Sequence, residues 1–360
     1  MSKDYLDYEE NFHREGKKRE ERSERKRITK KDRSRFKKTD QKKEVEAPTD
    51  PNLHRGRVLS IRGKIIDVAT DEKKYECSLK GSLKKEKQLM RNIVAVGDFV
   101  RFYPKEEEIS PIVHVDPRHS FLSRREHFKG KKEQLLAVNI DQVLIIVSVG
   151  MPPLKPALID RYIIAAKKGN MEPVIIINKL DLLTKEEETL LREVHATYKK
   201  LHIPILLTSA KTGDGMDKIK EQMKDKTSLF SGQSGVGKSS LINEALGLNI
   251  TVGDVVEKTR KGTHTTTSTN LIPLEEGGFC VDTPGIKSFG MWQITAQEIE
   301  SYFTEIYERK IACKFPNCTH QHEPGCAVKE AYEKGEISAL RYHSYLALLD
   351  EIDTYDREKY

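Results

Sequence analysis

No apolar run in this sequence is long enough to cross a bilayer. The longest, such as VLIIVSV at 143–149, fall far short of the roughly 20 residues a spanning helix needs. The N-terminus is charged throughout, so a secretory signal peptide is not expected either. Cysteine is scarce: five in 360 residues, three of them crowded between 313 and 326. That makes a poor disulfide framework and points to a metal site in a reducing compartment. Internal repeats are also absent. These absences predict a cytoplasmic protein with no membrane partner, built from two or three domains of ordinary size.

What is present leans basic. Lys and Arg number 63 against 56 Asp and Glu, a net charge of +7, which favours an anionic partner, nucleic acid foremost. Residues 1–50 carry both charges densely, as in REGKKREERSERKRITKKDRSRFKK, with almost no aliphatic side chains. Such a segment cannot bury enough apolar surface to offset its ordering entropy, so it is expected to be disordered, or at best a transient solvated helix. It reads equally as a solubilising tail or as a basic arm for RNA phosphates.

Residues 51–118 change texture to short alternating strands punctuated by Gly63, Gly81, Gly97 and Pro104. Four or five such strands predict a small β-barrel, and the OB-fold is the commonest barrel built for oligonucleotides. Arg57, Arg62, Lys64, Lys80, Lys84, Lys85 and Arg101 favour an RNA ligand. The scarcity of aromatic residues to stack bases leaves a generic barrel open. In residues 119–292 the apolar runs QVLIIVSV, PVIIIN, PILLTSA and TSLF read as buried parallel strands, with helices predicted over 156–168, 185–201 and 214–224. This is the α/β pattern of a nucleotide-binding sheet. Residues 293–360 read as helical, interrupted by the cysteine cluster.

FSGQSGVGKSSLIN at 230–243 contains G-x-x-x-x-G-K-S after a short strand and before a helical stretch. Glycines let the backbone curl its N–H groups inward, a helix N-terminus favours negative charge, and a lysine reaches the outer phosphates. The nucleotide-binding candidates are therefore Gly232, Gln233, Ser234, Gly235, Val236, Gly237, Lys238, Ser239 and Ser240. Lys238 would meet the β and γ phosphates, and the Ser239 hydroxyl would ligate Mg²⁺. NKLD at 178–181 follows PVIIIN, and Asp181 suits guanine, whose N1–H and N2–H donors a carboxylate accepts in pairs. Asn178 would bind the base and pin the neighbouring loops, and the stem of Lys179 would lie on the base. SAK, formed by Ser209, Ala210 and Lys211, follows the next apolar strand and would offer a backbone N–H to the guanine carbonyl. In DTPG at 282–285, Asp282 would hold Mg²⁺ through water and the Gly285 N–H would face the γ-phosphate. GTHTTTSTN at 262–270 offers threonines to cap Mg²⁺ and the γ-phosphate, Thr266 among the candidates, although the spacing does not say which of them meets the metal. The phrases stand in the order NKLD, SAK, phosphate loop, Thr-rich switch, DTPG, which is a circular permutation of the usual GTPase order. Close chain termini permit such a cut without dismantling the sheet.

CKFPNCTHQHEPGC at 313–326 has the spacing C-x4-C-x-H-x5-C. Cys313, Cys318 and Cys326 with one imidazole suit a tetrahedral structural Zn²⁺, and spacing leaves His320 and His322 as rivals for the fourth place.

GQSGVGKSSLIN, the permuted order, KGTHTTT, DTPGIKSFG and the cysteine cluster together resemble the circularly permuted GTPases of small-subunit assembly called RsgA, over about residues 55–350. The resemblance implies an OB-fold, a permuted P-loop GTPase domain and a zinc-bearing helical tail, with GTP or GDP and Mg²⁺ as ligands. It implies a monomer whose partners are the small ribosomal subunit and its rRNA. It selects His320 as the zinc ligand. It also bears on a gap: the residue after DxxG, often a water-orienting glutamine, is Ile286, which cannot orient water, and His264 in the switch is the candidate for that task. The charged N-terminal extension departs from the family pattern. Two other readings compete: an RNA-binding OB and zinc protein that uses GTP as a structural ligand, and an ATPase, which Asp181 disfavours.

Overall fold

Period-two alternation closes into a barrel. The computed structural model describes residues 50–80, 93–106, 108–125, 133–247, 269–282 and 294–357. Its first strands are β1 (His54–Arg62), β2 (Ile65–Ala69), β3 (Lys74–Leu79), β4 (Phe99–Phe102) and β5 (Ser110–Val115). They close in the order β1-β2-β3-β5-β4, with β4 returning antiparallel to β1 and β5 parallel to β3. This is an OB-like arrangement. Val58, Val68, Val100, Phe102 and Ile112 are fully buried within it.

Of the basic residues expected to face RNA, Lys64 and Lys80 are exposed, while Lys84 and Lys85 lie outside the described residues. Arg57 is diverted inward. Its guanidinium sits 5.0 Å from the ring centroid of Phe99 and 4.5 Å from that of Phe279, and it donates to the Asn139 carbonyl at 2.7 Å. Burial draws its pKa down to about 10 against the attraction of Asp141. Arg57 therefore joins the barrel to the strand that ends at Asp282, a contact that charge counting could not reveal.

A hairpin follows that the sequence reading did not separate: β6 (Phe121–Arg125) and β7 (Glu133–Val138), antiparallel to each other. Then come β8 (Gln142–Ser148), α1 (Pro156–Lys168), β9 (Glu172–Asn178), α2 (Lys185–Lys200), β10 (Ile205–Leu207), α3 (Met216–Met223), β11 (Thr227–Gly232), α4 (Lys238–Leu246), β12 (Asn270–Pro273) and β13 (Phe279–Asp282). The sheet order is β10-β9-β8-β11-β13-β12, parallel except for the last pair. Every residue of β8 is buried, as a parallel strand covered on both faces requires. β10 is shorter than PILLTSA suggested and only partly buried, because it is the sheet edge.

The helix limits follow local chemistry. α1 starts with Pro156 in its first turn and ends in Lys167 and Lys168 before Gly169. α2 opens with a capping box in which Thr184 accepts from the Glu187 N–H and Glu187 reaches back to Thr184. Its Leu191, Val194 and Tyr198 face the core.

The tail comprises α5 (Ala296–Tyr302), α6 (Thr304–Tyr307), α7 (Ala327–Glu333) and α8 (Ala339–Arg357). Its core of Ile299, Phe303, Ile306, Val328 and Tyr345 takes in Ile164 of α1. The docking also carries a buried ion pair. Arg341, 3% exposed, pairs with Asp160 of α1, fully buried, which also accepts from the Tyr198 hydroxyl at 2.8 Å. Residues 50–360 form one compact unit. No helix among the described residues is long and apolar enough to cross a membrane.

Candidate functional site

The sheet order places a crevice before any side chain is considered. β8, β9 and β10 succeed one another outward on one side, and β11, β13 and β12 occupy the other. Ligands bind outside the carboxyl ends of the strands at such a reversal. NKLD leaves β9, SAK follows β10 and the phosphate loop leaves β11, all at the same sheet edge because these strands are parallel.

Close backbone approach explains two of the loop's glycines. A Cβ on Gly232 would stand 2.3 Å from the Ile146 carbonyl oxygen of β8. Gly237, at φ +88°, precedes α4 in the left-handed region, and a Cβ there would meet the Asn178 amide nitrogen at 2.5 Å. Lys238 opens α4 and folds its ammonium back over the loop, donating to the Gly232 carbonyl at 2.8 Å, and burial lowers its pKa. Ser239 and Ser240 follow in the first turn of α4.

Asn178 is the joint between the phrases. Its Nδ2 donates to the Val236 carbonyl at 2.9 Å, while its Oδ1 accepts from the Ala210 N–H at 3.1 Å. One amide thus ties NKLD to both the phosphate loop and SAK. Lys179, at φ +65°, sends its ammonium to the carbonyls of Gly235, at 2.6 Å, and Met151. Asp181 accepts from the Ser209 hydroxyl at 2.6 Å and lies 3.7 Å from the Lys211 ammonium. The Ser209 hydrogen bond chiefly, with help from Lys211, holds the Asp181 carboxyl below the usual carboxylate range. Among the candidates, His264, Thr266 and Gly285 lie outside the described residues, and Asp282 ends β13 opposite Asn270.

One support of this site was not singled out from sequence. Glu187 accepts the Gly150 N–H at 2.8 Å, tethering the turn whose Met151 carbonyl receives Lys179. The capping-box spacing from Thr184 to Glu187 was readable, but the reach to Gly150 was not.

In the tail, Cys313, Cys318, His320 and Cys326 bring their ligand atoms within 4.8 Å of one another. His320 is fully buried and points Nδ1 at the sulfurs of Cys326, 3.4 Å away, and Cys313, 3.7 Å away. His322 is exposed. Geometry thus chooses between the two histidines where spacing could not. Three soft sulfurs and one imidazole at this separation fit a metal ion. The His320 Nε2 lies 2.8 Å from Glu300 of α5, a partner that the sequence reading missed because it lies outside the cysteine segment.

With this geometry established, comparisons with known proteins are specific. A model of the RsgA GTPase family matches residues 115–292. The small ribosomal subunit biogenesis GTPase RsgA of Chlorobaculum parvum is 41% identical over 308 residues, covering 83% of this chain and 98% of the relative. The crystal structure of YjeQ from Thermotoga maritima superposes with a TM-score of 0.68 at 34% identity, over 83% of this chain and 98% of that one. YloQ, described as a circularly permuted GTPase, gives 0.67 at 25% identity, over 86% and 99%. The chain belongs to the RsgA GTPase family.

Proposed function

We propose that this protein hydrolyses GTP to GDP and phosphate as a late assembly factor of the small ribosomal subunit, binding the subunit and its rRNA with GTP and leaving on hydrolysis. The observation that carries the GTP reading is Asn178, whose single amide ties the phosphate loop to both guanine phrases. The subunit reading rests on the relatives' names and on the OB-like barrel.

In this reading the phosphate loop from Gly232 to Ser240 and the N-terminus of α4 receive the phosphates. Lys238 exchanges the Gly232 carbonyl for phosphate oxygens. Asp181, kept ionised by Ser209, accepts the two guanine donors, Lys179 lies along the base, and the SAK backbone meets the guanine carbonyl. Bound Mg²⁺ would neutralise charge on the β and γ oxygens, and Ser239, Thr266 and Asp282 are the residues that would hold it. The Gly285 N–H would meet the γ-phosphate, and His264 would position the attacking water in place of a glutamine. Cys313, Cys318, His320 and Cys326 would hold a structural Zn²⁺, all four places being filled by protein. The protein acts as a cytoplasmic monomer.

Turnover measured with and without purified small subunits tests the whole. The free protein should be slow and the subunit should accelerate it, less so as salt rises. His264→Ala should keep GTP affinity and subunit binding but lose most of the stimulated rate. No acceleration by subunits would favour a module that uses GTP structurally.

A further inference from the structure

The metal cluster contains a charged neighbour that its ligand spacing does not include. Glu300 belongs to α5, which precedes the cysteine segment, and is 8% exposed. One carboxylate oxygen lies 2.8 Å from the His320 Nε2, and the other pairs with the Lys310 ammonium at 2.5 Å. We propose that Glu300 is the positioning residue of the metal site, fixing the tautomer and ring orientation with which His320 meets the ion. This rests on the reading of the cluster as a zinc site.

A neutral imidazole carries one N–H. An ionised carboxylate can only accept, so the proton is held on Nε2 and the Nδ1 lone pair is left facing Cys313 and Cys326. Carboxylate partners of this kind orient a histidine ligand. The carboxylate is itself held by a rigid element. Thr295 and Glu298 form a capping box at the start of α5, and Ile299 is fully buried beside Glu300. The Tyr342 hydroxyl donates to the His320 backbone carbonyl at 2.6 Å. Zn²⁺ with three thiolates would leave one negative charge; Glu300 adds a second, and the Lys310 ammonium offsets that second one.

The test uses the full-length protein, with zinc affinity measured by competition against a chromophoric chelator. Glu300→Ala should bind zinc about 10- to 100-fold more weakly. Glu300→Gln keeps the shape and an accepting carbonyl but loses the charge, so it should fall between Ala and wild type. It also covers the case in which the alanine variant does not fold. Lys310→Met, which leaves the Glu300–His320 contact in place, should cost less than Glu300→Ala.

Nitrogen-15 correlation spectra of the zinc-loaded protein supply a readout that packing alone would not move. His320 should show a coordinated Nδ1 and a proton on Nε2 that exchanges slowly in wild type and faster in both Glu300 variants. Wild-type zinc affinity in Glu300→Ala, or an Nε2-coordinated ring in wild type, would overturn the assignment. A wild-type protein that takes up no zinc would instead overturn the metal reading on which it rests.

Discussion

The nucleotide site and the metal cluster are built on opposite plans. The nucleotide site gathers three loops from separate strands, and its charged groups take provisional partners: the Lys238 ammonium rests on a carbonyl of its own loop, and the Lys179 ammonium bridges two more. The metal cluster draws its four ligands from one short segment and seats the imidazole in full burial. The first plan leaves room for a ligand that comes and goes, and the second leaves none. A site with an open place can do chemistry, whereas one closed by four protein ligands can only hold the fold.

That contrast can be broken from either side. The largest effect should come from removing the metal by chelation, or from Cys318→Ala. Structural zinc contributes on the order of 10 kcal/mol in zinc-finger peptides, so amide exchange should accelerate over 294–352 while GTP affinity changes little. A matching loss of GTP affinity would show that the two sites are not separate. Next, Lys238→Ala removes the charge aimed at the phosphates and should cut turnover by about 10²- to 10³-fold, leaving tail exchange unaltered. Normal turnover in that variant would remove the phosphate loop from the mechanism.

Asp181→Asn should lower GTP affinity by about 10- to 100-fold, since bonds to a charged acceptor are the strong ones, and should raise affinity for xanthine nucleotides. Unchanged GTP binding would detach NKLD from guanine. The smallest effect belongs to Thr184→Ala, which removes one cap and should cost about 1 kcal/mol in denaturant unfolding. Because Glu187 also holds Gly150, a weakening of GTP binding should accompany it. Loss of stability alone would mean that the Gly150 tether does not matter to the site.

The sequence disclosed what local chemistry decides. β8 and β9 were legible because parallel strands buried on both faces read as unbroken aliphatic runs, and α1 because Pro156 and Gly169 mark its limits. The Asn178 bridge was expected in outline, since its motif implies neighbours. The β6–β7 hairpin was obscured because FLSRR and EQLLAV are short, with charged residues at their facing ends. Arg57 misled because a basic residue on a barrel strand looks the same whether it faces solvent or lies between Phe99 and Phe279. Glu300 could not be found by spacing, because tertiary packing of α5 alone brings it to His320.

The sheet order carries one more consequence. The strands on one side of the crevice come from residues 142–207 and those on the other from 227–282, so the permuted chain is two consecutive half-sheets whose strand pairing runs, among the described residues, through β8 and β11. In the proposed reading neither half alone grips a nucleotide: NKLD and SAK of the earlier one would meet the base, and the phosphate loop of the later one the phosphates. GTP or GDP bound in that way would be a cohesive ligand, favouring the joined state over every state in which the halves have parted. By mass action, nucleotide at 100 times its dissociation constant adds about 2.7 kcal/mol to that cohesion. A cell's guanine nucleotide level would then set the lifetime of the enzyme as well as its activity.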